Sequence, residues 1–286
     1  MEKKSRNKIV TIGITLMTAL TLAGCSKASV KRIVSHEAKS ALRSAINNHK
    51  SSSSTGSTSG GVKSSENKTA DYKTLANSDF KSGTNIVVTV NKDKSTLNPS
   101  DWKTEKIEYG ALDSLNRTTT DTAYLSKKSL GKSEGRDPQT WNPTGWNNQA
   151  KKVNGKRVFP MNRGHLLAYT LTFNFDEDGN YKQGADGSLD NPKNLASQTS
   201  YSNQQPMQQQ SENLVRDALE KNKKVIYKVT TVFRGNEKMP RGYWVQAIST
   251  DKTLNFNRYI YNVQPGLKFD YSTGRSTVDT SMKVAE

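Results

Sequence analysis

Cysteine, histidine and acid are scarce in this chain. Its 286 residues include one Cys and three His. A disulfide framework needs paired Cys, so the chain cannot build one. Closed metal sites made of several Cys or His are excluded as well, and no HExxH pattern occurs. The 26 acids stand against 43 bases, a formal net charge of +17, which excludes an acidic solvating chain. Hydrophobic residues make up 32% and mean hydropathy is −0.81. A multi-span membrane protein, with repeated apolar runs of about 20 residues, is therefore excluded.

The one apolar run that exists lies at the start. Lys3, Lys4, Arg6 and Lys8 precede Ile9 to Leu22, a stretch suited to a signal h-region and short for a spanning helix. Leu22-Ala23-Gly24-Cys25 follows and resembles the lipobox of bacterial lipoproteins. That resemblance implies cleavage before Cys25 and acylation of its sulfur. An uncleaved anchor, or a secretory signal cut elsewhere, would use the same residues. Residues 1–24 are thus expected to be a lipoprotein-type signal peptide. The protein is expected at a bacterial cell surface, held by lipid on the outer face of the cytoplasmic membrane, or else secreted.

Residues 25–70 are expected to form a basic, flexible stalk. Val30 to Asn48 has a rough helical spacing, and Ser51 to Gly61 contains only Ser, Thr and Gly, with nothing to bury. His36 and His49 fall in this stalk. Twelve bases and three acids precede residue 71, so residues 71–286 keep a net +8. A basic body favours polyanions such as nucleic acid, anionic lipid or teichoic-type polymers.

Residues 71–286 read as one α+β domain. Ile86 to Val90, Thr118 to Leu125, Val225 to Phe233, Tyr243 to Ile248 and Phe256 to Val263 have strand character, and Ser211 to Asn222 reads as a helix. Asp176-Glu177-Asp178-Gly179-Asn180 resembles the start of a calcium loop. Tyr181 at its sixth position and Gly187 at its twelfth break the pattern, leaving an acidic turn.

His165 is the only imidazole in this body, in Met161-Asn162-Arg163-Gly164-His165. Arg163 suits phosphate and Gly164 permits a close backbone approach. Some thirty residues on, Asn191 to Gln205 is dense in amides. Neutral amide oxygens suit Mg²⁺, which keeps most of its waters, although a polar loop of Asx-turns would have the same composition. Arg136 and Trp146, in polar surroundings upstream of His165, are weaker candidates for phosphate contact and base stacking.

Together, Arg163-Gly164-His165, the 194–203 amides and a helix carrying Glu212 and Arg216 resemble the DNA/RNA non-specific endonucleases of the ββα-metal (His-Me finger) type. The likeness is to streptococcal membrane-bound DNA-entry nucleases and secreted DNases. It spans about residues 80–280 and includes Leu112 to Leu115 and Asn262 to Leu267. The resemblance implies a central antiparallel sheet flanked by helices, and hydrolysis of DNA and also RNA with little sequence preference. It implies His165 as general base and Asn203 as the direct protein ligand of Mg²⁺, with Mn²⁺ a possible substitute. Asn194 and Gln198 correspond to supporting amides, Glu212 to the acid that supports the metal's hydration, and Arg163 and Arg216 to phosphate-side arginines. Asn162 stands where many relatives carry Asp. A non-catalytic nucleic-acid-binding lipoprotein, or an adhesin-like lipoprotein, are the other readings.

Overall fold

A computed structural model describes residues 71–285. The expected signal peptide, Cys25 and the stalk with His36 and His49 lie outside the described residues. In chain order the elements are α1 (Tyr72–Ala76), β1 (Val87–Thr89), β2 (Lys106–Tyr109), β3 (Thr120–Leu125), β4 (Lys151–Val153), β5 (Lys156–Val158), β6 (Met161–His165), β7 (Leu195–Thr199), α2 (Ser200–Ser202), a π-helical turn (Asn203–Glu212), α3 (Asn213–Glu220), β8 (Val225–Val232), β9 (Gly242–Ser249), β10 (Asn255–Tyr261), β11 (Leu267–Asp270) and β12 (Arg275–Val278).

Six strands form an antiparallel sheet in the order β1-β10-β9-β8-β3-β2. The period-2 pattern of β8 decides what each face meets. Val225, Tyr227 and Val229 enter the main core with Tyr243 and Val245, where Leu166, Leu167, Leu171, Val215 and Leu219 cover them. Ile226 points the other way, to Ile248, Tyr124 and Trp102. Trp102 Nε1 donates to the Leu125 carbonyl at 3.0 Å, so this Trp is a packing residue.

β6 and β7 form a separate antiparallel pair, with Met161 opposite Thr199 and His165 opposite Leu195. A helix leaves β7 without a loop. Thr199 Oγ1 accepts the Ser202 N–H at 3.1 Å, an N-cap. The turn then widens to i→i+5 bonding over Asn203–Glu212, with Pro206 inside it, before α3 resumes regular geometry. Proline lacks an N–H to donate, and wide turns of this type recur at functional sites.

The sequence pattern anticipates five of the six sheet strands to within two residues and misses the edge strand β2. It missed β7, which lay inside the expected amide loop. Ser197, Gln198 and Thr199 are fully buried in β7, so polar composition there marks a hydrogen-bonded interior and not a surface loop. Asn262 is what makes that burial tolerable. Its Oδ1 accepts the Thr199 N–H at 2.8 Å, and its Nδ2 donates to the carbonyls of Ser197 at 3.0 Å and Pro240 at 2.9 Å. Thr199 Oγ1 also donates to Val263 O at 2.8 Å, and Gln264 Oε1 accepts the Tyr201 N–H at 2.9 Å.

Asn262→Ala should strand buried donors and acceptors on β7. The expected loss of unfolding free energy is about 2–4 kcal/mol, from two or three buried hydrogen bonds. Urea titration measures it, and a loss under about 1 kcal/mol would mean that β7 is held by packing alone.

Candidate active site

β6, the segment that follows it and the widened helical turn together wall a cleft. Its deeper part, of about 480 Å³, is lined by Asn162, His165, Tyr169, Asn203, Gln208 and Glu212, among others. A shallower part of about 320 Å³ adds Trp146, Arg163 and Gln139. Arg136, Asn162, His165, Asn203 and Gln204 line both parts, which therefore read as one trough. Along the wide turn, residues four or five apart share a face, so Gln204, Gln208 and Glu212 run down one wall.

His165 is 9% exposed. Its Nε2 lies 2.9 Å from the Leu189 carbonyl oxygen. A carbonyl can only accept, so Nε2 carries the hydrogen and Nδ1 keeps the free lone pair. Burial pulls the imidazole pKa down from 6.5 to about 4; the Leu189 bond and Asp190 oppose this while Arg136 adds to it. The ring is neutral at pH 7.

Gly164 has its own reason to be glycine. A Cβ there would fall 2.2 Å from Gln198 Oε1 and 2.6 Å from Gln198 Cβ. Gln198 sits opposite Asn162 in the pair. It donates through Nε2 to Ser202 Oγ at 3.2 Å, while its buried Oε1 has no partner among the described residues.

Glu212 is half-buried in the cleft wall. Burial raises its carboxyl from 4.5 to about 7, and the charge of Arg216, one turn on, holds it back from rising further. Arg216 donates to Thr170 Oγ1, and Thr170 lines the deep part. Asn162 Oδ1 accepts from Ser200 Oγ at 3.1 Å, so an amide occupies the wall where a carboxylate was the alternative. Arg163 donates to Trp141 O at 2.7 Å and Asn142 Oδ1 at 2.8 Å, with its guanidinium 4.7 Å from the Trp146 ring centre.

The predicted residues thus divide. His165, Asn203, Glu212, Arg136, Arg163 and Trp146 line the trough, and Arg216 reaches it through Thr170. Asn194 does not line it. Fully buried, it accepts the Leu167 N–H at 2.9 Å and donates to Leu167 O at 3.1 Å and Ser188 O at 3.2 Å. It braces the chain just after His165 against the chain just before β7.

The Leu189–Asp190 pair escaped sequence reasoning. Leu189 orients the imidazole. Asp190 accepts the N–H groups of Thr140 and Trp141, each at 3.0 Å, and so anchors the loop that carries Arg136. A backbone carbonyl leaves no signature in side-chain composition. Tyr169 was missed too; it packs 6.3 Å from His165 and lies under Arg136 at 6.0 Å, centre to centre.

Among the described residues no three of His, Cys, Asp and Glu gather to hold a metal. One amide oxygen and one carboxylate, Asn203 and Glu212, fit a hard ion that keeps several of its waters.

The family model for DNA/RNA non-specific endonuclease matches residues 97–251. The chain is similar to NucA from Streptococcus agalactiae, solved with magnesium ion bound: 29% identity over 68% of this chain and 86% of that one, TM-score 0.57. The same protein with no metal bound gives a TM-score of 0.56 over 87% of its length. Sda1 nuclease with bound zinc ion shares the fold at 20% identity, covering 68% of this chain and 97% of that one, TM-score 0.54.

The two shifted groups predict opposing pH effects. His165 titrates near 4 folded and 6.5 unfolded, so the unfolded chain binds the extra proton and stability falls as pH drops from about 6.5 through 4. Glu212 titrates near 7 folded and 4.5 unfolded, so stability falls as pH rises from about 4.5 through 7. In EDTA the two slopes should largely cancel between pH 5 and 6.5. Relative to wild type, Glu212→Gln should expose a rising slope of up to about 1.4 kcal/mol per pH unit, and His165→Gln a falling one. Urea unfolding across that range gives the sign directly.

Proposed function

The chain belongs to the DNA/RNA non-specific endonuclease family and is a nuclease; we propose that it is a surface-anchored, Mg²⁺-dependent enzyme hydrolysing DNA, and RNA as well, with little sequence preference. The observation that carries this reading is the meeting of His165, Asn203 and Glu212 in one trough, with the imidazole tautomer fixed by Leu189 O. The magnesium ion of NucA supports the choice of ion.

A phosphodiester is anionic and slow to react. It needs an in-line water, a proton acceptor and charge where the transition state becomes more negative. His165 supplies the acceptor through Nδ1. Neutral at pH 7, it is ready to take the water's proton, and a phosphate bound beside it favours the imidazolium that results. Arg216 and Arg163 supply fixed charge on the phosphate side, and Arg136 extends it to the loop wall. Asn203 would hold Mg²⁺ directly and Glu212 would hold its water, and the ion when bound supplies Lewis-acidic charge to the phosphate and its leaving oxygen. A cation held beside Glu212 would favour its ionised form. Charged and amide groups on a trough contact backbone and not base edges, which accounts for low sequence preference.

The alternative, a non-catalytic binder, rests on Asn162 in the place of an acid, and cleavage assays separate the two. Plasmid and RNA should be cut in Mg²⁺ and left intact in EDTA. His165→Ala should lower the rate about 10²- to 10⁴-fold, the worth of a positioned general base. His165→Gly should recover partly with added imidazole, tracking its neutral fraction. A folded His165→Ala protein cutting at near wild-type rate would end the mechanism. Asn203→Ala should lose most Mg²⁺-dependent turnover and keep much of its DNA binding. If its metal dependence is unchanged, Asn203 is not a ligand. Cys25→Ala should leave the membrane fraction with cleavage intact, and mass spectrometry of the native membrane form should show an acylated Cys25.

A further inference from the structure

The hairpin of β4 and β5 has no place in the catalytic scheme, yet it is among the most lopsided surfaces of the body. No Asp or Glu occurs from residue 138 to residue 175. Within that stretch the ribbon carries Lys151, Lys152, Lys156 and Arg157 around a tight Asn154-Gly155 turn, both turn residues at positive φ. None of the four bases ion-pairs with an acid among the described residues.

The register sorts the faces. Val153 lies opposite Lys156 and Lys151 opposite Val158, while Lys152 faces Arg157. The valines pack into a cluster with Met161, Leu267, Phe269 and Trp146. At the Gly266 turn the fit is close enough that a Cβ would lie 2.5 Å from Val153 Cγ1. The outer face is left with Lys152, Arg157 and Phe159, which is 51% exposed under the Arg157 guanidinium at 5.0 Å. Two like charges directly opposite on a ribbon destabilise it, and the fold supplies no counter-charge.

The ribbon is also fixed to the trough. Met161 and Trp146, against which its valines pack, line the shallow part, and only Phe159 and Pro160 separate β5 from β6. We propose that the β4–β5 ribbon is a second phosphate-backbone contact, gripping duplex nucleic acid alongside the stretch held in the trough. This rests on the nuclease reading for its substrate. Attachment to the cleft wall favours nucleic acid over an anionic membrane, because a polymer entering the trough must pass beside the ribbon.

Binding of a fluorescent 30-bp duplex to the full chain, by anisotropy in EDTA at several salt concentrations, tests this without any catalysis. Loss of the two outer-face contacts should flatten the log–log salt slope by about 2, and loss of all four bases by up to about 3 to 4. A variant with Lys151, Lys152, Lys156 and Arg157 changed to Gln is expected to show that flattening, with at least tenfold weaker binding near physiological salt. A control with Lys81, Lys92, Lys221 and Lys252 changed to Gln removes equal charge and should change the slope by less than half as much. In Mg²⁺, the ribbon variant's loss should fall on KM for duplex and not on kcat. Equal effects of the two variants would reduce the ribbon to general surface charge and overturn the proposal. So would an unchanged duplex slope with lost binding to phosphatidylglycerol vesicles, which would make the ribbon a membrane contact. If the wild type binds duplex but does not cut it, the nuclease reading fails while the slopes still decide the ribbon.

Discussion

A single carbonyl, that of Leu189, organises the centre of this molecule. Burying an imidazole is costly unless its N–H finds a partner. Leu189 O provides one at 2.9 Å, and the partner must stay still for the other nitrogen to act as a base. Most of the surrounding structure serves that stillness. Asn194 ties Leu167 to Ser188 across the same segment, Asp190 pins the Arg136 loop, and Asn262 holds the strand opposite. Two buried side chains, Asn194 and Asn262, and the half-buried Asp190 thus bond backbone groups that sheet ladders leave over. They satisfy groups that would otherwise be stranded away from water.

The cleft's wall follows from the same strand pair. Gly164 has no side chain because Gln198 fills the space where one would be, and that close approach lets β7 lead straight into the helix. The wide turn then sets Asn203 and Glu212 on the wall facing His165. A regular helix from residue 200 would have rotated successive positions differently along the cleft.

Legibility in the sequence followed hydrogen bonding as much as hydropathy. The sheet strands β8, β9 and β10 were legible because alternation or apolar density exposes a buried face. His165 stood out because no other imidazole competes in the body, and its neighbours Arg163 and Gly164 gave it a chemical setting. β7 was illegible because Ser197, Gln198 and Thr199 are polar and fully buried, the opposite of what composition implies. The role of Asn194 was legible as support but not as bracing, since an amide that clips backbone and one that lines a site look alike in sequence. Leu189 could not be found at all, because its contribution is a main-chain oxygen.

Charge is distributed in the same spirit. Inside the trough, burial keeps His165 neutral and disfavours ionised Glu212, so the interior is poor in charge. Permanent charge sits on the rim, in Arg136 and in Arg163 over Trp146. A cluster of acids, including Asp137, Glu177 and Asp186, lines a separate cleft of about 710 Å³ behind the Leu189–Asp190 segment. There Asp186 is raised by burial and by Asp137, with Tyr169 opposing. A polyanion therefore meets positive charge at the rim, while the one acid lining the trough, Glu212, is disfavoured as an ion by burial. Rim charge raises the local concentration of substrate at long range, and the interior offers a lone pair instead of a competing charge. In the proposed mechanism, binding and proton transfer then fall to different residues. A base kept neutral by burial does not have to be freed from an ion pair before it accepts the water's proton.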